Sequence, residues 1–174
     1  MRIFIAIQVP EGLSDVFRRL QKALPRAGLI LPRSFHLTLR FLGEVSEQEV
    51  AGIRKALRQV KVTPFSLATG SLGVFPSASF IQVVYAGIVG EGVRQLQKSV
   101  DAALQGIGIP VEKEAFSPHI TIARVKSMED KQAFATAVEA MPMERHEFAV
   151  RTFCLMKSSL AKGGAVHERL EEYG

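Results

Sequence analysis

The sequence has one cysteine, Cys154, among 174 residues, so an internal disulfide is excluded. Chains without disulfides are typical of reducing compartments, and we expect a cytoplasmic protein. The neighbours of Cys154 are apolar and predict a buried thiol in a strand rather than a catalytic nucleophile.

Long hydrophobic runs are also missing, since no stretch approaches the ~20 apolar residues that a membrane-spanning helix needs. The apolar run that begins at Ile3 stops at Gln8, and no small-residue cleavage site follows it, so no signal peptide is predicted. No run of consecutive basic residues occurs, which disfavours a disordered nucleic-acid-binding tail. We therefore expect no membrane association.

The composition is that of a globular protein, with 47% hydrophobic and 22% charged residues. The length fits a single domain over residues 1–174, built either as one compact unit or as two small lobes. Lys and Arg number 22 against 17 Asp and Glu, a net charge of +5 that favours polyanionic partners.

A short motif occurs twice, as His36-Leu37-Thr38-Leu39 and as His119-Ile120-Thr121-Ile122. In a β-strand, side chains alternate between faces, so each copy sends its His and Thr to one face and its aliphatic residues to a core. The second copy begins 83 residues after the first, close to half the chain length. Two such strands side by side would set two imidazoles and two hydroxyls around one space, which suits a phosphate group.

The residue types restrict the chemistry of this site. No carboxylate accompanies either motif, and no third metal ligand stands at a suitable spacing, since His146 and His167 lie at unrelated positions. A Thr nucleophile is disfavoured because a His two residues away on one strand is about 7 Å distant. Two imidazoles suit paired acid–base catalysis, one ring accepting a proton while the other donates one. We expect a strained cyclic phosphodiester as substrate and neither metal nor cofactor.

Hydrophobic periodicity predicts the order β-α-β-α-β-β-α-β-α-β-β. A Pro76–Ser79 turn joins two strands at residues 65–75 and 80–89, one strand spans 147–157, and Gly163-Gly164 leads into a last strand near 165–171. Each half of the chain carries one motif strand followed by a Ser-capped helix. The predicted class is α+β, with two pseudo-twofold-related lobes, each an antiparallel sheet backed by helices, around a central cleft.

Longer versions of the motifs carry a resemblance to a known family. The segments Phe35–Val45 and Phe116–Arg124 resemble the two signatures of the 2H phosphoesterases, and Gly73-Val74-Phe75-Pro76 resembles a landmark between them. Within that superfamily the chain is most similar to RNA 2′,3′-cyclic phosphodiesterases, also called 2′-5′ RNA ligase-like proteins. The similarity covers nearly the whole chain.

The resemblance implies roles for the four motif residues. His36 would donate a proton to the leaving ribose oxygen, and His119 would be the base that activates water. Thr38 and Thr121 would hold the phosphate. The implied reaction opens a terminal 2′,3′-cyclic phosphate of RNA, tRNA fragments included, to leave a 2′-phosphate.

Three further residues are candidates for substrate binding. The resemblance implies that Phe41 stacks on a base or ribose and that Arg124 binds phosphate. Both stand at an odd offset from their motif His, so they face the cleft only if the strands twist or bulge there. Arg40 has the cleft-facing parity of a regular strand and is therefore a third candidate for a phosphate or backbone contact.

The chain also departs from the family pattern. It has no Trp, and Gly164-Ala165-Val166-His167 stands where many relatives carry a Tyr. We interpret His167 as a solvated surface residue, with replacement of a lost aromatic contact as the alternative.

Other functions remain open at this point. The chain could act on a small cyclic nucleotide, an ADP-ribose cyclic phosphate or a 2′-5′ oligonucleotide, or be a non-catalytic RNA- or nucleotide-binding module. Ligation is the reverse reaction, and the sequence does not exclude it as a minor activity. We expect a monomer.

Overall fold

The computed structural model describes residues 1–162 and 164–174. Its helices are α1 (Glu11–Ala23), α2 (Glu47–Leu57), α3 (Gly92–Gln105) and α4 (Lys131–Ala140). Its strands are β1 (Arg2–Gln8), β2 (Gly28–Ile30), β3 (His36–Glu44), β4 (Phe65–Ser77), β5 (Phe80–Val89), β6 (His119–Ser127), β7 (Glu147–Val150), β8 (Phe153–Ala161) and β9 (Gly164–Tyr173). They form one sheet in the order β7-β4-β5-β6-β3-β1-β8-β9, with β2 beside β6.

The two motif strands, β3 and β6, meet at the middle of this sheet. On one side of them lie β1, β8 and β9, which we call lobe 1, and on the other lie β5, β4 and β7, which we call lobe 2. All the paired strands are antiparallel. The predicted α+β class is confirmed. The two lobes are halves of one continuous sheet, because β3 and β6 pair directly.

The aliphatic residues of both motifs anchor the strands in the core. Leu37, Leu39, Ile120 and Ile122 are at most 2% exposed. Each such side chain stabilises the fold by roughly 1.5–3 kcal/mol. Helix α1 packs against β6 and α3 against β3, so each motif strand is covered partly by a helix from the other half of the chain.

A β-bulge interrupts both motif strands at the same place. The register of β3 with β1 skips Leu39, and that of β6 with β5 skips Ile122. The Nε2 of Gln21 on α1 donates to the Ile122 carbonyl at 2.9 Å, which satisfies a buried acceptor at the bulge. After each bulge the alternation is inverted, so the fourth residue after the His points towards the helices and the fifth away from them.

The inversion makes the prediction for Arg40 wrong. Its side chain is 5% exposed and faces α3, where Nη1 donates to Asp101 Oδ1 at 3.1 Å and Nη2 to the Pro110 carbonyl. Gln97 Nε2 donates to the other Asp101 oxygen. Arg40 therefore holds the loop after α3 against the back of the sheet and does not contact the cleft.

Several element bounds differ from the sequence prediction. The strand β2 was not predicted, because three residues followed by Pro32 carry little periodic signal. The single strand expected over 147–157 is two, since β7 pairs with β4 of lobe 2 while β8 pairs with β1 of lobe 1. The predicted hairpin of β4 and β5 is confirmed. Gly163 of the expected last turn lies outside the described residues.

We predict that Asp101→Ala destabilises the fold strongly. It removes the buried partner of the Arg40 guanidinium and leaves the more exposed Glu112, whose Oε1 lies 3.7 Å from Arg40 Nε. Breaking a buried pair costs about 3–5 kcal/mol. Urea denaturation gives this change as a difference in the free energy of unfolding. As a control, Glu147→Ala breaks the exposed pair with Arg145, whose side chain is 63% exposed, and should cost about 0–1 kcal/mol. Equal losses for the two variants would contradict the structural role of Arg40.

Candidate active site

The pairing of β3 with β6 brings the four motif residues together. Leu37 stands opposite Ile120, and in an antiparallel register this sets His36 opposite Thr121 and Thr38 opposite His119. The two histidines are then diagonal neighbours on one face, with Cβ atoms about 7–8 Å apart. That spacing leaves room for one phosphate group between the imidazoles. The expected juxtaposition of both motifs in one cleft is what the register shows.

His36 lies in an apolar corner on the lobe 1 side. Its ring centroid is 4.8 Å from that of Phe4, which is itself 2% exposed. Burial lowers the pKa of His36 to about 3, and the nearby charges of His167, Arg124 and His119 act in the same direction. Among the described residues, no carboxylate opposes these effects. The His36 imidazole is therefore neutral at pH 7 in the free protein.

His119 has a different environment. Its side chain is exposed, and its ring stands edge-on to that of Tyr85 at 5.7 Å. The Ser117 carbonyl lies 2.7 Å from Nδ1, and because a carbonyl only accepts, Nδ1 carries the hydrogen. The Nε2 atom is then the one free to exchange a proton with a ligand.

A third imidazole, which the sequence interpretation placed in solvent, belongs to the site. The ring of His167 on β9 lies 4.8 Å from His36, nearly perpendicular to it at 89°, and 5.1 Å from Phe4. Its Nδ1 is 3.5 Å from Ser34 Oγ. The surface interpretation is wrong, because the ring packs against His36 and Phe4, while replacement of the relatives' aromatic contact stays a prediction. The distance between His167 and His36 along the sequence does not indicate that the two rings meet. They come together because β9 pairs with β8.

The other candidates also face the cleft. Phe41 is 54% exposed and its ring lies 5.9 Å from Phe4, while Arg124 is exposed and near enough to lower the pKa of both His36 and His167. The bulges account for this placement. Among the described residues Arg124 forms no ion pair, so its guanidinium is available for an anion.

Other chemistries find little support in the same region. Over residues 1–162 and 164–174, no group of three His, Cys, Asp or Glu side chains is arranged to hold a metal ion. The Cys154 thiol is 1% exposed, and burial raises its pKa to about 11, so it is no thiolate nucleophile. In that same part of the chain, no helix is long and apolar enough to cross a membrane.

Comparison with known proteins gives consistent matches. The family model of the 2′-5′ RNA ligase superfamily matches residues 9–161. An RNA 2′,3′-cyclic phosphodiesterase of Methanocaldococcus jannaschii is 28% identical over 99% of this chain and 100% of its own, and one of Thermotoga maritima is 34% identical over 99% and 94%.

Solved structures agree with these matches. A crystal structure of a protein from Thermus thermophilus superposes with a TM-score of 0.82 at 28% identity, covering 99% of this chain and 96% of that one. Escherichia coli LigT complexed with 3′-AMP gives 0.78 at 25% identity, covering 98% and 95%.

We predict that His36 titrates near pH 3 and that His167→Ala raises its pKa. The substitution opens the corner around His36 to water and removes a like charge, and both changes favour the imidazolium. Titration of labelled imidazoles by NMR measures the pKa directly. His146→Ala is the matched control, because this His lies beside Glu144, and it should leave His36 unchanged.

The same shift has a consequence for stability. The unfolded chain protonates His36 near pH 6.5, whereas the folded chain does so only near 3, so this residue makes the fold less stable as the pH falls between those values. A His36 pKa of 6 or above in the free protein would contradict both statements.

Proposed function

The chain belongs to the 2′-5′ RNA ligase superfamily, and on that basis we propose that it hydrolyses RNA 2′,3′-cyclic phosphate ends to 2′-phosphomonoesters without a metal ion. The observation that carries this proposal is the pairing of Leu37 with Ile120, which sets two imidazoles and two hydroxyls as neighbours on one face of the sheet. The names of the relatives support the choice of substrate.

The reaction proceeds by attack of water on phosphorus, in line with the bond from phosphorus to the ribose 3′ oxygen. His119 Nε2 takes the proton of the water as the new P–O bond forms. The P–O3′ bond breaks, and His36 gives a proton to the departing oxygen. The resemblance of the motifs to the family signatures is the basis for this order of roles.

The remaining side chains bind the phosphate and the nucleoside. The hydroxyls of Thr38 and Thr121 donate to the non-bridging oxygens, whose charge increases in the transition state. Arg124 adds a guanidinium that no carboxylate among the described residues neutralises. Phe41 offers an exposed ring to the base or ribose.

A second assignment reverses the two histidines. The neutral state of His36 in the free protein agrees with it, because a general base must be unprotonated at rest, but a pKa of about 3 makes the ring a weak base. In the first assignment, the negative charge of the bound phosphate must raise the pKa of His36.

Rival substrates use the same chemistry. A small cyclic nucleotide, an ADP-ribose cyclic phosphate or a 2′-5′ oligonucleotide places the same phosphate between the imidazoles. Ligation is the reverse reaction with a second RNA end as nucleophile. A non-catalytic binding module needs no proton donor and acceptor, and the presence of both imidazoles favours the enzyme.

We predict that purified protein treated with EDTA opens a short RNA 2′,3′-cyclic phosphate and releases only the 2′-phosphate. Replacing either motif histidine by Ala should lower kcat by about 10²- to 10⁴-fold. Replacing either motif Thr by Ala should cost on the order of 1–3 kcal/mol. His146→Ala is the control. Loss of turnover in EDTA with recovery on adding zinc or manganese would refute the metal-free reaction.

The division of labour gives a further prediction. With a nitrophenyl ester, whose leaving group departs without protonation, the defect of the variant that lacks the proton donor should shrink. The defect of the variant that lacks the base should persist. In the first assignment the rescued variant is His36→Ala, and kcat, which reports the substrate complex, should follow a bell-shaped pH profile set by two imidazoles. Rescue of His119→Ala alone would establish the reversed order.

A further inference from the structure

The two lobes leave the candidate site open to different degrees. On the lobe 1 side, His167 of β9 covers His36, and Phe4, Ala6, Cys154 and Met156 fill the space behind it with a small buried cluster. On the lobe 2 side the edge strand β7 is four residues long and pairs only with the start of β4. The described part of β9 has no counterpart there, so lobe 2 is the open side of the cleft.

Two aromatic rings stand exposed on that open side. Phe75 on β4 and Phe80 on β5 are 55% and 58% exposed and lie near the tip of one hairpin. Single exposed apolar side chains are ordinary, but two large exposed rings on one hairpin are a candidate contact surface. We call Phe75 and Phe80 the hairpin pair.

The strand register places Phe75 on the face that carries the motifs, and Phe80 points away from the core because the next residue, Ile81, is buried there. Phe75 stands opposite Val83, and Val83 stands opposite Arg124. Directly opposed residues of neighbouring strands share a face, so Phe75 lies on the face of Arg124. The backbones of β4 and β6 are two strand spacings apart, about 10 Å.

Gly73 on β4 and Tyr85 on β5 stand opposite each other, and they confirm that this face carries the motifs. A Cβ added to Gly73 would lie 2.6 Å from the Tyr85 hydroxyl, so the Tyr85 ring covers that glycine. The same ring is in edge contact with His119. The surface is therefore continuous from the candidate active site through Tyr85 to the strand that carries Phe75.

The charge and shape of this surface match single-stranded RNA. Arg124, which forms no ion pair with a described residue, stands at its inner end, and the chain carries a net charge of +5. Proteins that bind single strands combine basic groups along the phosphates with exposed aromatic rings on which bases stack. Lobe 1 exposes an aliphatic residue at its own hairpin tip instead, since Leu160 is 88% exposed.

We propose that the RNA chain preceding the terminal cyclic phosphate leaves the cleft over lobe 2, with its bases stacked on Phe75 and Phe80. This inference rests on the proposed function for the position of the terminal phosphate. It makes an oligoribonucleotide, rather than a mononucleotide, the preferred substrate class. The terminal nucleotide occupies the cleft, and the hairpin pair contacts only the nucleotides that precede it.

The test compares two substrates in several variants. A five-residue RNA with a 2′,3′-cyclic phosphate reaches the hairpin pair, whereas cytidine 2′,3′-cyclic phosphate does not. Phe75→Ala should raise KM for the RNA roughly five- to 100-fold, several times more than for the mononucleotide. Phe75→Trp should restore RNA binding, because it restores a ring. Leu160→Ala is the matched control and should change neither KM.

Equal effects of Phe75→Ala on both substrates, or none on either, would overturn the proposal. Binding measured by fluorescence anisotropy keeps the test independent of turnover. The Kd of a labelled RNA ending in a 2′-phosphate should be lower than the Kd of cytidine 2′-phosphate, measured by competition against that RNA. Phe75→Ala should remove this difference in affinity. If the RNA has no advantage in the unchanged protein, the path over lobe 2 is wrong even where hydrolysis occurs.

Tighter binding of the RNA than of cytidine 2′-phosphate, without any hydrolysis, would support the RNA path over lobe 2 and refute the proposed enzymatic activity. Sedimentation velocity tests a further occupant of the surface. A dimer that Phe75→Ala dissociates would assign the hairpin pair to self-association and overturn the RNA path.

Discussion

The candidate site depends on one backbone contact, the pairing of Leu37 on β3 with Ile120 on β6. This contact joins the two lobes into one sheet and sets the register of the motifs. A slip of one residue would turn every side chain of one motif to the opposite face. The burial of both aliphatic pairs opposes such a slip, because it would expose them to water. The hydrophobic core and the polar site are thus fixed by the same register.

Much of this arrangement could be predicted from the sequence, up to the point where the alternation of the strands is interrupted. The parity of His36, Thr38, His119 and Thr121 follows from regular strands, and the repeat suggested two related lobes. Arg40 was misplaced because a bulge depends on tertiary contacts, including the bond from Gln21 to the bulged carbonyl. The division of the last strands between lobes is likewise a matter of pairing partners, which periodicity does not encode.

The difference between the two histidines is a property of the fold rather than of the motif. Both copies read the same in sequence, yet His36 lies against Phe4 and His167, while His119 faces solvent beside Tyr85. The two edge strands of the sheet cause this asymmetry, since β9 is long and β7 is short. An internal repeat can therefore place the same residue type in two different environments.

The exchange of helices between the lobes has a consequence for how the protein comes apart. Helix α1 packs on β6 and α3 on β3, and the bonds from Gln21 to Ile122 and from Arg40 to Asp101 cross in the same sense. Loss of α1 would uncover β6, and loss of α3 would uncover β3. Opening of either motif strand therefore belongs to the costly end of the range of local openings. We expect amides on both motif strands to exchange with solvent at the same slow rate, as a single cooperative unit.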